Sequence, residues 1–397
     1  MSYKQVIRKL DLNSFLTLLQ YIFFMLKRGN RSSLLPLNLV VVLAVLILTL
    51  TSGSSLPSSA KAKNDPVKNF EAFWSLFNEN YAFFKLKKVD WVETYKAYRP
   101  KVSSNTTDSE LFVIFSEMVA PLHDSHVNII TPDKHFSASK PSRFLKEFSS
   151  DSLVKEFWNM CDLTLVKNGF SPIKSFGTEY EGEKLFHYSE SNQIAYLRFT
   201  RSFVSLEKHS GSEEKLIQKS LDTLFKSWSN KKGLILDVRL NIGGEDRFSY
   251  NMAGRLTRKR VIGHSKKTKR KGSNKYGKLK TFYINPNGNS NFLQPTMVLT
   301  NDQTASAADV FSLIVKPLPN VDLIGENSEG IYSDMLEKKL PNGWIVTLSN
   351  QVYYSNEMIC YEGIGTPVDT VIRNTLQDLT MKEDPVIMAA LVELNKR

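Results

Sequence analysis

Cysteine is nearly missing from this chain of 397 residues, which holds only two, Cys161 and Cys360. Two thiols so far apart give no metal-ligand spacing and no disulfide framework, although one bridge stays open to an exported protein. Histidine is sparse as well, at six residues, and the pair His123-x-x-His126 has no third ligand at a zinc-like spacing, which argues against a metal centre. There is no Gly-x-Gly-x-x-Gly and no Gly-Lys-Ser/Thr, so a nucleotide site is not expected. Acidic residues are missing locally. Residues 1–62 hold seven basic residues and one acid, and residues 258–280 hold eleven basic residues and none. Against a total of +12, that leaves the rest of the chain at −5, so the net charge does not describe a nucleic-acid-binding body. The basic run has Tyr276 as its one aromatic and lacks the stacking surface that single-stranded nucleic acid requires. It reads as a solvated surface loop, with contact to an anionic partner as the alternative.

At this length the chain exceeds one compact core, and two domains plus an appendage are expected. Basic residues Lys27, Arg28 and Arg31 precede an apolar run at 34–50, which small residues follow. This is the pattern of a secretory signal at 1–62, or of a membrane anchor if it is not cleaved, with the remainder outside the cytoplasm. Phe70, Phe73, Trp74, Phe77, Tyr81 and Phe84 then recur at helical spacing, a core stripe. Thr107 with Glu110 makes a capping box for a second helix, which ends near Pro121 and delivers His123, Ser125 and His126 to a loop. A helical domain over 63–190 carrying Ser125-His126 is expected, followed by an α/β domain over 191–397.

In that second part, Ile194–Phe199 reads as a strand, Ser210 with Glu213 as a helix cap, and Gly233-Leu-Ile-Leu-Asp as a buried strand running into Asn241-Ile-Gly-Gly244. Glycines at a strand end let backbone approach a bound group closely, and such N–H groups serve as oxyanion donors. Further strands are expected at 296–300, 321–325 and 344–349, with helical patterns between several of them, which favours a layered α/β core. The stretch Pro295-Thr-Met-Val-Leu-Thr-Asn-Asp-Gln-Thr-Ala-Ser306 runs from strand through a turn to a helix start. Ser306 stands where free N–H groups and the helix dipole favour negative charge. A plain N-cap satisfies the same pattern.

Three motifs occur in one order: Asp237-Val-Arg-Leu-Asn-Ile-Gly-Gly244, Asn301-Asp-Gln-Thr-Ala-Ser-Ala-Ala-Asp309 and Tyr361-Glu-Gly-Ile-Gly-Thr-Pro-Val-Asp369. Together they resemble the C-terminal-processing and tricorn family of serine peptidases. The resemblance implies a crotonase-like α/β core of stacked ββα units beside a helical N-terminal segment, with no PDZ domain expected in the short interval. The processing branch uses a serine with a lysine, and here the lysine position falls on Ile331. The tricorn branch uses a Ser-His pair from the N-terminal part, matched by Ser125-His126, and a glutamate for which Glu362 is the nearest match. The resemblance thus implies Ser306 as nucleophile, His126 as general base, Ser125 and Glu362 as orienting groups, and an oxyanion hole from Ala307 with Gly243 or Gly244. It implies a peptide or unfolded-protein substrate, no cofactor and no nucleic-acid partner. Two other readings stay open: a carrier of hydrophobic ligands similar to the retinoid-binding-protein repeats, and a crotonase-type acyl-CoA enzyme. Ser306 and the export signal argue against the second.

Overall fold

An aspartate and a proline start the first described helix. The computed structural model describes residues 65–205, 211–273 and 275–397, so the 34–50 run and the Ser210 cap lie outside the described residues. Helix α1 (Pro66–Asn80) begins with Asp65 accepting from Lys68 N at 3.0 Å and with proline where no N–H is needed. Phe70, Phe73 and Phe77 are fully buried, and Phe73 stacks on Phe115 at 3.9 Å. The helix ends at Asn80, so Tyr81 and Phe84 reach the same core from beyond it. Helix α2 (Asp108–Val119) carries the expected capping box, with Thr107 N donating to Glu110 Oε2 at 2.8 Å. A 3-10 turn and His123, at φ 45°, then lead directly into strand β1 (Asp124–Ile130). Ser125 and His126 therefore lie on a strand and not in the expected loop. β1 pairs antiparallel with β2 (His135–Ala138), and the register jumps from Asp124↔Ala138 to Asn128↔Ser137. A bulge of this kind re-aims neighbouring side chains that would otherwise alternate between faces.

The chain continues through α3 (Asp151–Lys167), β3 (Lys174–Tyr180), β4 (Glu183–Glu190), β5 (Ile194–Phe199), α4 (Gly211–Ser227), β6 (Gly233–Asp237) and α5 (Asp246–Ala253). It ends with β7 (Val261–Thr268), β8 (Lys280–Ile284), β9 (Thr296–Thr300), α6 (Ala307–Val315), β10 (Val321–Gly325), β11 (Met335–Lys339), β12 (Ile345–Ser349), β13 (Gln351–Tyr354), β14 (Thr370–Val371) and α7 (Pro385–Asn395). Seven strands form one sheet in the order β14-β10-β9-β6-β5-β4-β3. The first five run parallel, while β4 and β3 extend the sheet antiparallel. Alternation along each central strand splits the core. Leu234, Leu236 and Val298 face the side covered by α4, α5 and α6, and Ile235, Met297 and Leu299 face α3 and α7. Burial on both faces explains why these strands read as unbroken apolar runs.

A second sheet, β11-β12-β1-β2, joins residues from both ends of the described chain. β3 and β4 belong to the large sheet, whereas β11 and β12 pair with β1, so sequence position 190 does not mark a clean spatial division. The basic run also departs from expectation: it supplies most of the β7–β8 hairpin instead of a free loop. Several of its cations are occupied. Lys269 Nζ donates to the carbonyls of Asn78 and Tyr81, each at 3.0 Å, at the end of α1. Lys266 bonds Tyr353 and Asp334, and Arg260 lies 3.5 Å over the Tyr283 ring. Cys161 and Cys360 are both free.

Candidate active site

Parallel pairing sets the site. Because β6, β9 and β10 lie side by side in parallel, the turns leaving their carboxyl ends emerge together, the usual place for ligands in such sheets. The first turn holds Asn241–Gly244, the second Asn301–Ser306 and the third residues 326–334. Backbone and side-chain bonds tie the first two together: Ala305 N donates to Asn241 O at 3.0 Å, Leu240 N to Asn301 Oδ1 at 3.2 Å and Thr304 Oγ1 to Val238 O at 2.9 Å.

Ser306 sits at the N-terminus of α6 with φ 56° and ψ −119°. A non-glycine residue held there costs on the order of 1–3 kcal/mol, the kind of strain found where a side chain is presented for chemistry. Asp309, fully buried at the third helical position, holds the turn. Its carboxylate accepts from Ser306 N at 3.0 Å, Gly330 N at 2.8 Å and Ile331 N at 3.0 Å. Burial pushes this carboxyl up to about 7, with Glu329 adding to the rise and the donors from Ser328, Ile331 and Gly330 opposing it. Ile331, where the processing branch would need lysine, is buried and supplies only its N–H to Asp309.

Gly243 touches the serine directly. A Cβ on Gly243 would lie 2.6 Å from Ser306 Cβ, 2.6 Å from Ala305 O and 3.0 Å from Ala307 N, at φ +85°. Its N–H is not free, however, since it donates to Asn241 Oδ1 at 2.9 Å. The Gly243 donor expected from sequence is thus engaged by an Asx-type turn, and what this glycine contributes is close approach. The N–H groups of Gly244 and Ala307 take no hydrogen-bond partner among the described residues. Gly243→Ala is expected to displace Ser306 and to slow its reaction with an active-site acylating or phosphonylating probe by about 10²-fold, the scale of a roughly 1 Å misplacement. Labelling rates of folded wild-type and variant protein check this, and equal rates would remove Gly243 from the site.

His126 approaches from the second sheet. It is 7% exposed, its N–H donates to Asp124 Oδ1 at 2.9 Å and its carbonyl accepts from Thr347 Oγ1 at 2.7 Å. Asp124 also accepts from Tyr81 OH at 3.0 Å and Ser349 Oγ at 3.2 Å, which fixes the start of β1. Burial lowers the imidazole below its ordinary value, against Asp124, the Ser333 carbonyl and Asp334, which raise it. The ring is neutral near pH 7, and Nδ1 is buried with no hydrogen-bond partner. Among the described residues no hydrogen bond joins Ser306 Oγ to the ring, although catalytic bonds often tighten only when substrate is bound. His123, the other histidine of the pair, is exposed, and its carbonyl accepts from Lys87.

Residues 329–334 form a strap between the two halves. Glu329 N donates to Thr304 O at 2.8 Å beside the nucleophile, the Ser333 carbonyl and the Asp334 charge act on the His126 ring, and burial raises the Glu329 carboxyl against Ser125 and Lys140, which lower it. Glu362, expected on Ser125, is 2% exposed and accepts from Tyr332 N at 3.1 Å, which anchors the same strap. Burial, reinforced by Asp124, pushes its carboxyl well above the ordinary range. Asp124, Asp309 and the strap were invisible as site residues in the sequence; only the acid at the third position of α6, a familiar capping position, gave any signal.

The profile of peptidase family S41 matches residues 193–372, and that of the tricorn protease C1 domain matches residues 63–120. No curated protein sequence matches. Among solved structures, a candidate peptidase from Parabacteroides merdae is 27% identical, with 83% of this chain and 97% of that one covered at a TM-score of 0.69. The fold alone is shared with mature CPAF in complex with lactacystin, at 12% identity, 85% and 100% coverage and TM-score 0.62. The same holds for a lipoprotein from Streptococcus agalactiae, at 18% identity, 84% and 97% coverage and TM-score 0.53. With Ser306 and Glu362 inside the first matched segment and α1 and α2 inside the second, the chain is similar to the S41 peptidases over its second part and to the tricorn protease over its first.

Proposed function

We propose that this peptidase is an exported serine endopeptidase that cleaves peptide bonds through an acyl-enzyme on Ser306, with His126 as general base. Ser306 Oγ forms a bond to the scissile carbonyl carbon as its proton passes to His126. The tetrahedral intermediate collapses, the C–N bond breaks and His126 returns the proton to the leaving amine. Water, deprotonated by the same imidazole, then releases the acyl group and regenerates Ser306. The developing oxyanion is met by Ala307 N–H and Gly244 N–H. Ser125 and Glu362 orient the imidazole. The charged flank and apolar run ahead of residue 63 support export, either by secretion or on a membrane anchor.

The observation that carries this reading is the contact of Gly243 with Ser306 and Ala307 N at a strained helix start. A capping serine alone needs no glycine pressed against it. The test is labelling with a fluorophosphonate probe. Pure, folded wild-type protein becomes labelled at Ser306 and Ser306→Ala does not. An unlabelled wild type ends the peptidase reading.

A further inference from the structure

We propose that Asp302 is a positioning residue of this site, its carboxylate tying the segment that leaves the histidine sheet to the turn that carries Ser306. The kinetic part of this inference rests on the peptidase reading; the structural part does not. Asp302 stands four residues before Ser306, in the turn between β9 and α6. Its neighbours Asn301 and Thr304 fasten that turn to the β6 turn, through Leu240 N and Val238 O. The Asp302 carboxylate reaches a different element, the short helix Arg143–Glu147. It accepts from Arg143 N at 2.6 Å, from the Ser142 hydroxyl at 3.1 Å and from Phe144 N at 3.4 Å.

That helix is where β2 leads. β2 pairs with β1 across the bulge that carries His126, and residues 139–142 run from its end to the contact with Asp302. On the way, Lys140 Nζ donates to the Glu329 carbonyl of the strap, and Arg143 pairs with Glu326, just past β10, at 2.9 Å. One segment from the histidine sheet therefore grips the strap, the end of β10 and, through Asp302, the nucleophile turn itself. Capping does not account for the last grip. Ser142 already caps the helix, its Oγ accepting from Leu145 N at 3.0 Å, and Phe144 is buried against Phe148 and Phe157, with ring centroids at 4.5 and 5.0 Å. The helix has a cap and an anchor without Asp302. What the carboxylate adds is a link between two elements, made of charge-assisted hydrogen bonds. A shift of about 1 Å between Ser306 and His126 would slow their reaction about 10²-fold, so such a link bears directly on rate.

The test uses the full chain. Asp302→Ala is expected to lower kcat on a peptide substrate, and the rate of Ser306 labelling by a fluorophosphonate, by about 10²-fold at unchanged KM. Asp302→Asn, which keeps one acceptor oxygen, should restore most of the loss. Asp90→Ala controls for stability. Asp90 caps the helix Trp91–Tyr98, accepting from Val92 N at 2.9 Å and Glu93 N at 3.0 Å, and its loss should leave labelling as in wild type. A second pair of variants removes the link from the other side. Arg143 is the first residue of its helix, where proline is tolerated but brings no N–H, and Ser142 before it is extended, as proline requires. Arg143→Pro should slow labelling, whereas Arg143→Ala, which keeps the N–H, should not. Amide exchange reads the link without activity: residues 142–145 should exchange faster than wild type in Asp302→Ala and not in Asp90→Ala. Wild-type labelling of Asp302→Ala overturns the inference, as does unchanged exchange over 142–145, or an Arg143→Pro that labels as fast as Arg143→Ala. If Asp302→Ala does not fold, the Arg143 pair decides. A wild type that takes no fluorophosphonate ends the peptidase reading separately, with amide exchange still deciding whether Asp302 holds the segment.

Discussion

His126→Ala is expected to lower kcat/KM on a peptide substrate by on the order of 10²–10⁴-fold, the usual contribution of a positioned general base. The pH profile of the wild-type enzyme carries the sharper signature. The imidazole must be neutral to accept the Ser306 proton, and burial lowers its pKa more than Asp124, the Ser333 carbonyl and Asp334 raise it. The protonated, inactive form therefore accumulates only at a pH below the ordinary histidine value of about 6.5. Activity should persist below that value and then fall with a single acid limb. Asp309 titrates higher, near 7, but it touches backbone N–H groups and not the reacting atoms, and Gly330, Ile331 and Ser306 continue to hold it on both sides of that pH. A limb at or above about 6.5 that survives in His126→Ala would assign the base to another group. Plots of kcat/KM against pH for the two proteins decide between these outcomes.

Arg239→Ala is expected to cost about 3–5 kcal/mol of folding stability, because it leaves two buried carboxylates without their cation. Arg239 is fully buried just past the end of β6. Its Nε and Nη2 reach Asp237 Oδ1 and Oδ2 at 2.9 and 2.6 Å, and its Nη1 reaches Asp384 Oδ2 at 2.7 Å and Asn374 Oδ1 at 3.0 Å. Tyr196 OH donates to Asp237 at 2.9 Å, and Cys161 Sγ donates to Asp384 at 3.0 Å. Asp384 in turn caps α7, accepting from Val386 N at 2.9 Å. Burial alone would raise its carboxyl, yet Arg239, Cys161 and Asn374 hold it below the ordinary value. One guanidinium thus fastens the central strand to the C-terminal helix and to α3, on the face of the sheet opposite α6. Urea unfolding should show a lower midpoint at unchanged slope. Replacing Arg239, Asp237 and Asp384 together by apolar residues should cost less than Arg239→Ala alone, since it removes the charges and not just their balance.

Much of the large sheet was legible because its strands obey a local rule. Runs such as Ile194–Phe199, Thr296–Thr300 and Val321–Gly325 are mostly apolar, as burial on both faces of a parallel sheet favours. The Thr107–Glu110 box marked a helix start for an equally local reason. The basic run misled, because charge density says nothing about which cations find carbonyls or aromatic faces; Lys269 and Arg260 do, and the run is a hairpin. His126 was assigned to a loop because the bulge that carries it on β1 depends on pairing with β2, whose register no local pattern encodes.

By itself, then, the sequence determined the kinds of residue available for chemistry and the order in which they appear: a glycine pair after one buried strand, a serine at the start of a helix after another, and a histidine far upstream. These follow from backbone preferences that act within a few residues. Only the tertiary structure decided which groups meet. Parallel pairing of β6, β9 and β10 sets Gly243 against Ser306 and brings the 329–334 strap across to the histidine strand. Hydrogen bonds between residues some 200 positions apart depend on how sheets are stacked and where bulges fall, and side-chain chemistry read along the chain carries no record of either.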